Sequence, residues 1–89
     1  MKITVELFGA AREFSDTDFI ELNLLEPSSI KDLKNELVKM IDEKFHGNQN
    51  FKKIVMSSAF CSENDNIVSD NFKIDKKQTF GIIPPVGGG

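Results

Sequence analysis

The chain closes on Gly87-Gly88-Gly89, directly after Pro84-Pro85-Val86. A run of glycines has no Cβ atoms, so such a segment can enter a narrow channel and lie close to a nucleotide or a catalytic backbone. The group it would bring there is the terminal carboxylate of Gly89. With a reference pKa of about 3.3–3.7, a terminal carboxyl is an anion at neutral pH and a poor electrophile. It reacts only when activated, and adenylation by ATP is the usual route. An acyl-adenylate can accept a sulfur nucleophile, giving a thiocarboxylate, or a lysine amine, giving an isopeptide bond. Dividing one hard step into two easier ones is the physical logic of such an intermediate. A glycine-rich end also reads as a frayed tail or a linker. A linker, however, needs no hydrophobic strand and proline stop before it, and Phe80-Gly81-Ile82-Ile83-Pro84-Pro85 is such an approach.

The rest of the chain offers little competing chemistry. There is no Gly-x-x-x-x-Gly-Lys loop, no Gly-x-Gly-x-x-Gly fingerprint and no Gly-x-Ser-x-Gly elbow. Activation of the end is therefore expected from a partner that uses ATP, with no cofactor held by this chain. Cys61 and His46 are the single cysteine and the single histidine. They exclude an internal disulfide and suit structural roles better than a nucleophilic pair, and no metal site is expected. The net charge of −3 argues against nucleic-acid binding, which needs clustered Lys and Arg. Lys52-Lys53 and Lys76-Lys77 are read as solvated turns. With 39% hydrophobic and 28% charged residues, the composition suits a soluble globular domain. No membrane span or signal peptide is read from it, and the expected location is cytoplasmic.

The elements that would position the tail follow from periodicity. Residues 2–8 alternate, with Ile3, Val5 and Leu7 on one face and Lys2, Thr4 and Glu6 on the other, which predicts a half-buried strand. Residues 9–14 are too short for a full helix, and 19–25 read as a second strand, antiparallel to the first across a wide loop. Pro27 ends that strand, Ser28 or Ser29 can cap a helix, and Asp32 puts a carboxylate in its first turn. Ile30, Leu33, Leu37, Met40, Ile41 and Phe45 then recur at helical spacing, with Lys31, Lys34, Asn35, Glu36, Lys39, Asp42 and Glu43 outside. Gly47 is a natural stop. Residues 48–50 read as loop, and a strand is placed in the later half of 51–61. A turn at 62–66, a very short strand at Ile67-Val68, core anchors Phe72 and Ile74 in irregular chain, and a closing strand at 79–83 complete the reading.

The predicted fold class is α+β: a mixed sheet of about four to five strands with one main amphipathic helix on one face, the helix having no comparable partner to pack on. With first and last strands side by side in the middle, this is the β-grasp, or ubiquitin-like, arrangement. The expected division is a β-grasp domain at 1–83 and an extended tail at 84–89. Two adjacent prolines end the ladder and favour a polyproline path away from the body. Six residues from Pro84 onward could span roughly 20 Å.

The ending Ile82-Ile83-Pro84-Pro85-Val86-Gly87-Gly88-Gly89 resembles that of the molybdopterin synthase small subunit, the sulfur carrier of molybdenum cofactor synthesis. Phe8-Gly9-Ala10-Ala11-Arg12-Glu13, the Ser29-Ile30…Leu33 helix start and Asn64 before Ile67-Val68 extend the resemblance. It implies that an E1-like adenylyltransferase activates Gly89 and that a sulfurtransferase supplies the sulfur. The tail, Pro84 to Gly89, would enter the large synthase subunit in a heterotetramer, and the thiocarboxylate would donate sulfur to cyclic pyranopterin monophosphate. The catalytic pocket would belong to the large subunit, leaving this chain a sulfur-donating, non-catalytic subunit. Arg12, Ile67 and Ile83 align with family positions at the large-subunit interface, although a surface charge and two ordinary core residues would look the same. The sequence departs from the family where Lys76-Lys77-Gln78 replace Asp-Gly-Asp, which would put Lys77 at positive φ, and where Glu63 replaces a small apolar residue. A thiamine-pathway sulfur carrier shares the fold and a Gly-Gly end but usually lacks the Pro-Pro-Val approach. A protein modifier, joined through Gly89 to lysines, and a plain interaction module are further alternatives.

Overall fold

The computed structural model describes residues 1–85; the tail residues Val86, Gly87, Gly88 and Gly89 lie outside the described residues. Strand β1 (Lys2–Leu7) buries Ile3, Val5 and Leu7 as its alternation dictates. A 3-10 helix (Gly9–Phe14) fills the wide loop, and β2 (Phe19–Asn23) returns antiparallel to β1. Two residues, Ser28–Ser29, form β3 before the main helix α1 (Ile30–Lys44). Then follow a second helix α2 (Gln49–Ser57) and strands β4 (Ala59–Cys61), β5 (Ile67–Val68), β6 (Lys73–Ile74) and β7 (Gln78–Ile83).

The five-stranded sheet has the order β2-β1-β7-β4-β5, and β3-β6 make a separate pair. Strands β1 and β7 are parallel, from Ile3 against Gln78 to Leu7 against Ile82. The last strand is thus the middle one, as the sequence predicted. Ile3, Val5, Leu7, Ile20, Phe60, Phe80 and Ile82 form the inner face of the sheet, and Ile30, Leu33, Leu37 and Ile41 of α1 join them in one core. This is the β-grasp arrangement.

Helix α1 starts in a capping box. The Ser29 hydroxyl accepts from the Asp32 N–H at 3.2 Å, and the Ser29 N–H donates to Asp32 Oδ2 at 2.9 Å, so two orphan donors are satisfied reciprocally. At its other end His46 (φ 53°) and Gly47 (φ 72°) turn left-handed, and the Gly47 N–H returns to the Ile41 carbonyl at 3.2 Å.

Several expectations are corrected. Residues 49–57 are helical: the Asn48 side chain accepts from the Phe51 N–H at 3.1 Å, and Phe51, Ile54 and Val55 sit at i, i+3 and i+4 toward the core. Lys52-Lys53 therefore stand on a helix rather than in a turn. Phe51 packs 5.2 Å from Phe14 and 4.9 Å from Phe45, tying the 3-10 helix, α1 and α2 together. Ile74 is fully buried but belongs to β6, not to irregular chain. Lys34 does not face outward: it is buried, with its ammonium 2.7 Å from Asp70 Oδ1. Lys77 avoids positive φ, for among the described non-glycine residues His46 and Asp65 alone adopt it.

Candidate functional site

The expected chemistry, at Gly89, lies outside the described residues, and the structure shows the strand end from which the chain sets out toward it. Ile83 is the last ladder residue, facing outward opposite Ala59 and 38% exposed. Pro84 is buried, whereas Pro85 is exposed. Packing against the body therefore continues one residue past the strand, through Pro84. Pro84 lacks an N–H and ends the ladder, yet its ring stays packed: its Cδ stands 3.8 Å from where a Cβ on Gly9 would be. Gly9 has φ +54°, a conformation that favours a residue without Cβ. Arriving from a central strand held by β1 on one side and β4 on the other, Ile83 and Pro84 form a fixed base.

The outer face of the sheet carries residues that the polar phase of the strands does not call for. The strand registers place Ile67, Cys61, Gly81, Glu6 and Phe19 in one row across all five strands. Ile67 is 64% exposed, and Phe8 and Phe19 are also exposed. Phe8 bends back over the sheet, its Cε2 3.0 Å from the position of a Cβ on Gly81. Around it lies a depression of 460 Å³ lined by Glu6, Phe8, Cys61, Glu63, Gly81 and Ile83 among others. Of the two predicted apolar contact residues, both Ile67 and Ile83 stand on this face. Arg12 stands apart on the 3-10 helix, donating to Asp18 Oδ1 at 2.7 Å.

Sequence reading missed Phe8 and Phe19 as surface residues. The signal was present: Phe8 continues the phase of Lys2, Thr4 and Glu6, so alternation alone sends it outward. Cys61 also faces outward and is half-buried, its Sγ 3.5 Å from the Ser62 carbonyl. His46 lies beyond α1, in the other layer. The described residues contain no group of three or more His, Cys, Asp or Glu side chains that could hold a metal ion. Nor is any described helix long and apolar enough to cross a membrane. What the face can do chemically is bind: exposed Phe8, Phe19, Ile67 and Ile83 stand beside a depression whose lining is also acidic, with Glu6, Glu63 and Asp65.

No protein-family model matches the chain, and no curated protein matches it. Solved structures do. A Pyrococcus furiosus protein provisionally described as molybdopterin converting factor, subunit 1, superposes with a TM-score of 0.69 at 24% identity, over 96% of this chain and 98% of that one. SAMP1 from Haloferax volcanii superposes with a TM-score of 0.69 at 14% identity, over 100% of both chains. At such identities what is shared is the fold: the described residues form a β-grasp domain of the same architecture as these two proteins.

Proposed function

We propose that this chain is the sulfur carrier subunit of a molybdopterin synthase. The observation that carries the reading is the placement of Pro84-Pro85-Val86-Gly87-Gly88-Gly89 directly after the central strand β7, whose end is packed against the rest of the sheet. The β-grasp likeness to a protein described as molybdopterin converting factor, subunit 1, supports it. In this reading the Gly89 carboxylate attacks the α-phosphate of ATP in an E1-like adenylyltransferase, and pyrophosphate leaves. The outer sulfur of a persulfide on a sulfurtransferase then displaces AMP, one carboxyl oxygen leaving with the nucleotide, and a thiol cleaves the resulting acyl disulfide, forming a new disulfide and releasing the thiocarboxylate. The thiocarboxylate enters the large subunit and gives its sulfur to cyclic pyranopterin monophosphate; hydrolysis returns the carboxylate. A dithiolene needs two sulfurs and hence two deliveries.

Each part of the chain has a role in this scheme. Gly87, Gly88 and Gly89 supply a backbone without Cβ atoms for the channel, and the reacting atom. Val86 and Pro85 bridge from the domain. The outer face, with Ile67 and Ile83, is the docking surface for the large subunit, and Arg12 extends it from the 3-10 helix. The chain binds no cofactor of its own, and ATP belongs to the activating partner.

Intact-mass measurement of the protein purified from its native cells tests the reading. The expected result is a fraction heavier by the sulfur–oxygen difference, localised to Gly89 by fragmentation, and lost on incubation with the large subunit and the pterin precursor. A ladder of adducts on the lysines of other proteins, with no thiocarboxylate, would replace carriage by conjugation. Full sulfur delivery by a chain lacking Gly88 and Gly89 would refute a role for the tail.

A further inference from the structure

Phe8 and Gly9 grip the last strand at two successive places. The Phe8 ring lies against β7 where residue 81 has no side chain: Cε2 and Cδ2 are 3.0 and 3.6 Å from the position of a Gly81 Cβ. One residue on, Gly9 meets Pro84, with Cδ and Cγ at 3.8 and 3.9 Å from its own Cβ position. The parallel register, which ends with Leu7 against Ile82, brings Phe8 and Gly9 alongside Ile83 and Pro84. Pro84 has no N–H to donate, so no ladder bond from its own nitrogen fixes it. What buries it is packing. The corner is itself anchored, since the Phe8 carbonyl accepts from the Ala11 N–H at 3.1 Å and the Leu7 N–H donates to the Asp18 carbonyl at 2.8 Å.

We propose that the Phe8–Gly9 corner is a clamp that fixes the origin and departure direction of the C-terminal tail, making Pro85 its first free residue. Phe8 and Gly9 are thus positioning residues for delivery. The purpose of the clamp rests on the carrier function proposed above, whereas its geometry does not. From Pro85 to Gly89 the chain can reach roughly 17 Å, one residue less than a tail released at Pro84. A fixed origin confines the reacting end to a small volume, and reaction rates depend steeply on such placement. A loosened origin spreads the same length of chain over more space and lowers its effective concentration in the partner's pocket.

Two measurements test this on the full-length chain. The first is 13C relaxation of protein labelled at proline and isoleucine, without partners. Pro84 should be as ordered as Ile82 in the wild type and less ordered in Phe8→Ala. Phe8→Tyr keeps the ring and should keep the order. Gly9→Val, whose branched side chain opposes positive φ and crowds Pro84, should loosen Pro84 by a second route, and melting curves establish that each variant is folded. Unchanged order at Pro84 in folded Phe8→Ala and Gly9→Val overturns the clamp. The second is single-turnover sulfur transfer from the thiocarboxylated chain to cyclic pyranopterin monophosphate, with the molybdopterin synthase large subunit saturating so that affinity is removed. Phe8→Ala should be slower by about tenfold, and Phe8→Tyr should restore the rate. Wild-type speed in Phe8→Ala at saturation also overturns the clamp. If the wild type itself transfers no sulfur, carriage fails, and the clamp is then decided by the order of Pro84 alone.

Discussion

Lys34 has a side chain 11% exposed, while its partner Asp70 at 2.7 Å is 56% exposed. Its ammonium also stands 5.8 Å from the centroid of the Phe60 ring. The two members of this pair therefore respond differently to truncation. Asp70→Ala leaves a buried cation without its counter-ion and should cost about 2 kcal/mol in urea denaturation. Lys34→Met removes the charge along with the need to pair it, and Asp70 returns to water; the loss should stay within about 1 kcal/mol. A larger loss for Lys34→Met than for Asp70→Ala would mean that the pair itself stabilises the fold. At Gly81 an alanine Cβ would press on the Phe8 ring, which can swing out only by giving up its contact with β7. Gly81→Ala should cost about 1 kcal/mol and shift the Phe8 ring resonances. Neither site was legible from sequence. Lys34 falls beside the apolar stripe of α1, where periodicity sees only a charge, and its burial depends on Asp70, 36 residues away. The contact of Phe8 with Gly81 depends on a parallel pairing that no local pattern encodes.

Helix α1 was readable because stripe, cap and stop agree: Ile30, Leu33, Leu37 and Ile41 are all buried, and Ser29 and Asp32 close the capping box. Ser29→Ala should lower stability by about 1 kcal/mol, measured by thermal or urea unfolding, with Asp32→Ala similar in effect and the double variant less than the sum. Helix α2 was misread for a physical reason. Ile54-Val55-Met56 is a contiguous apolar run, partly β-branched, which resembles a buried strand as much as a helix. Its start, Asn48-Gln49-Asn50, has the composition of a loop, although Asn48 is in fact the cap. The strand placed in the later half of that stretch exists as β4, three residues long. Strands β3 and β6 have two residues each and too little length to show any period.

The whole molecule separates two layers of different use. The helices and the inner sheet face form the core, and the outer face presents Phe8, Phe19, Ile67 and Ile83 with the strand end beside them. If that face is the docking surface, Ile67→Asp and Ile83→Asp should each weaken the complex with the large subunit by about 2 kcal/mol in calorimetric titration, with little change in melting temperature. Equal affinity in both variants would place the interface elsewhere. The β-grasp class and the central position of the last strand were legible because element order constrains topology, whereas the outer face becomes visible only when five strands are laid in register. The same topology has a temporal consequence. Strand β7 follows the other four strands of its sheet in sequence yet stands between β1 and β4, so during synthesis β1 waits for a neighbour that is more than 70 residues away in register. Until residues 78–83 have cleared the ribosome the sheet has a gap at its middle, and such long-range pairing is slow to form. Closure of the sheet is thereby tied to the emergence of residues 78–83: a chain stalled before β7 stays open to proteases.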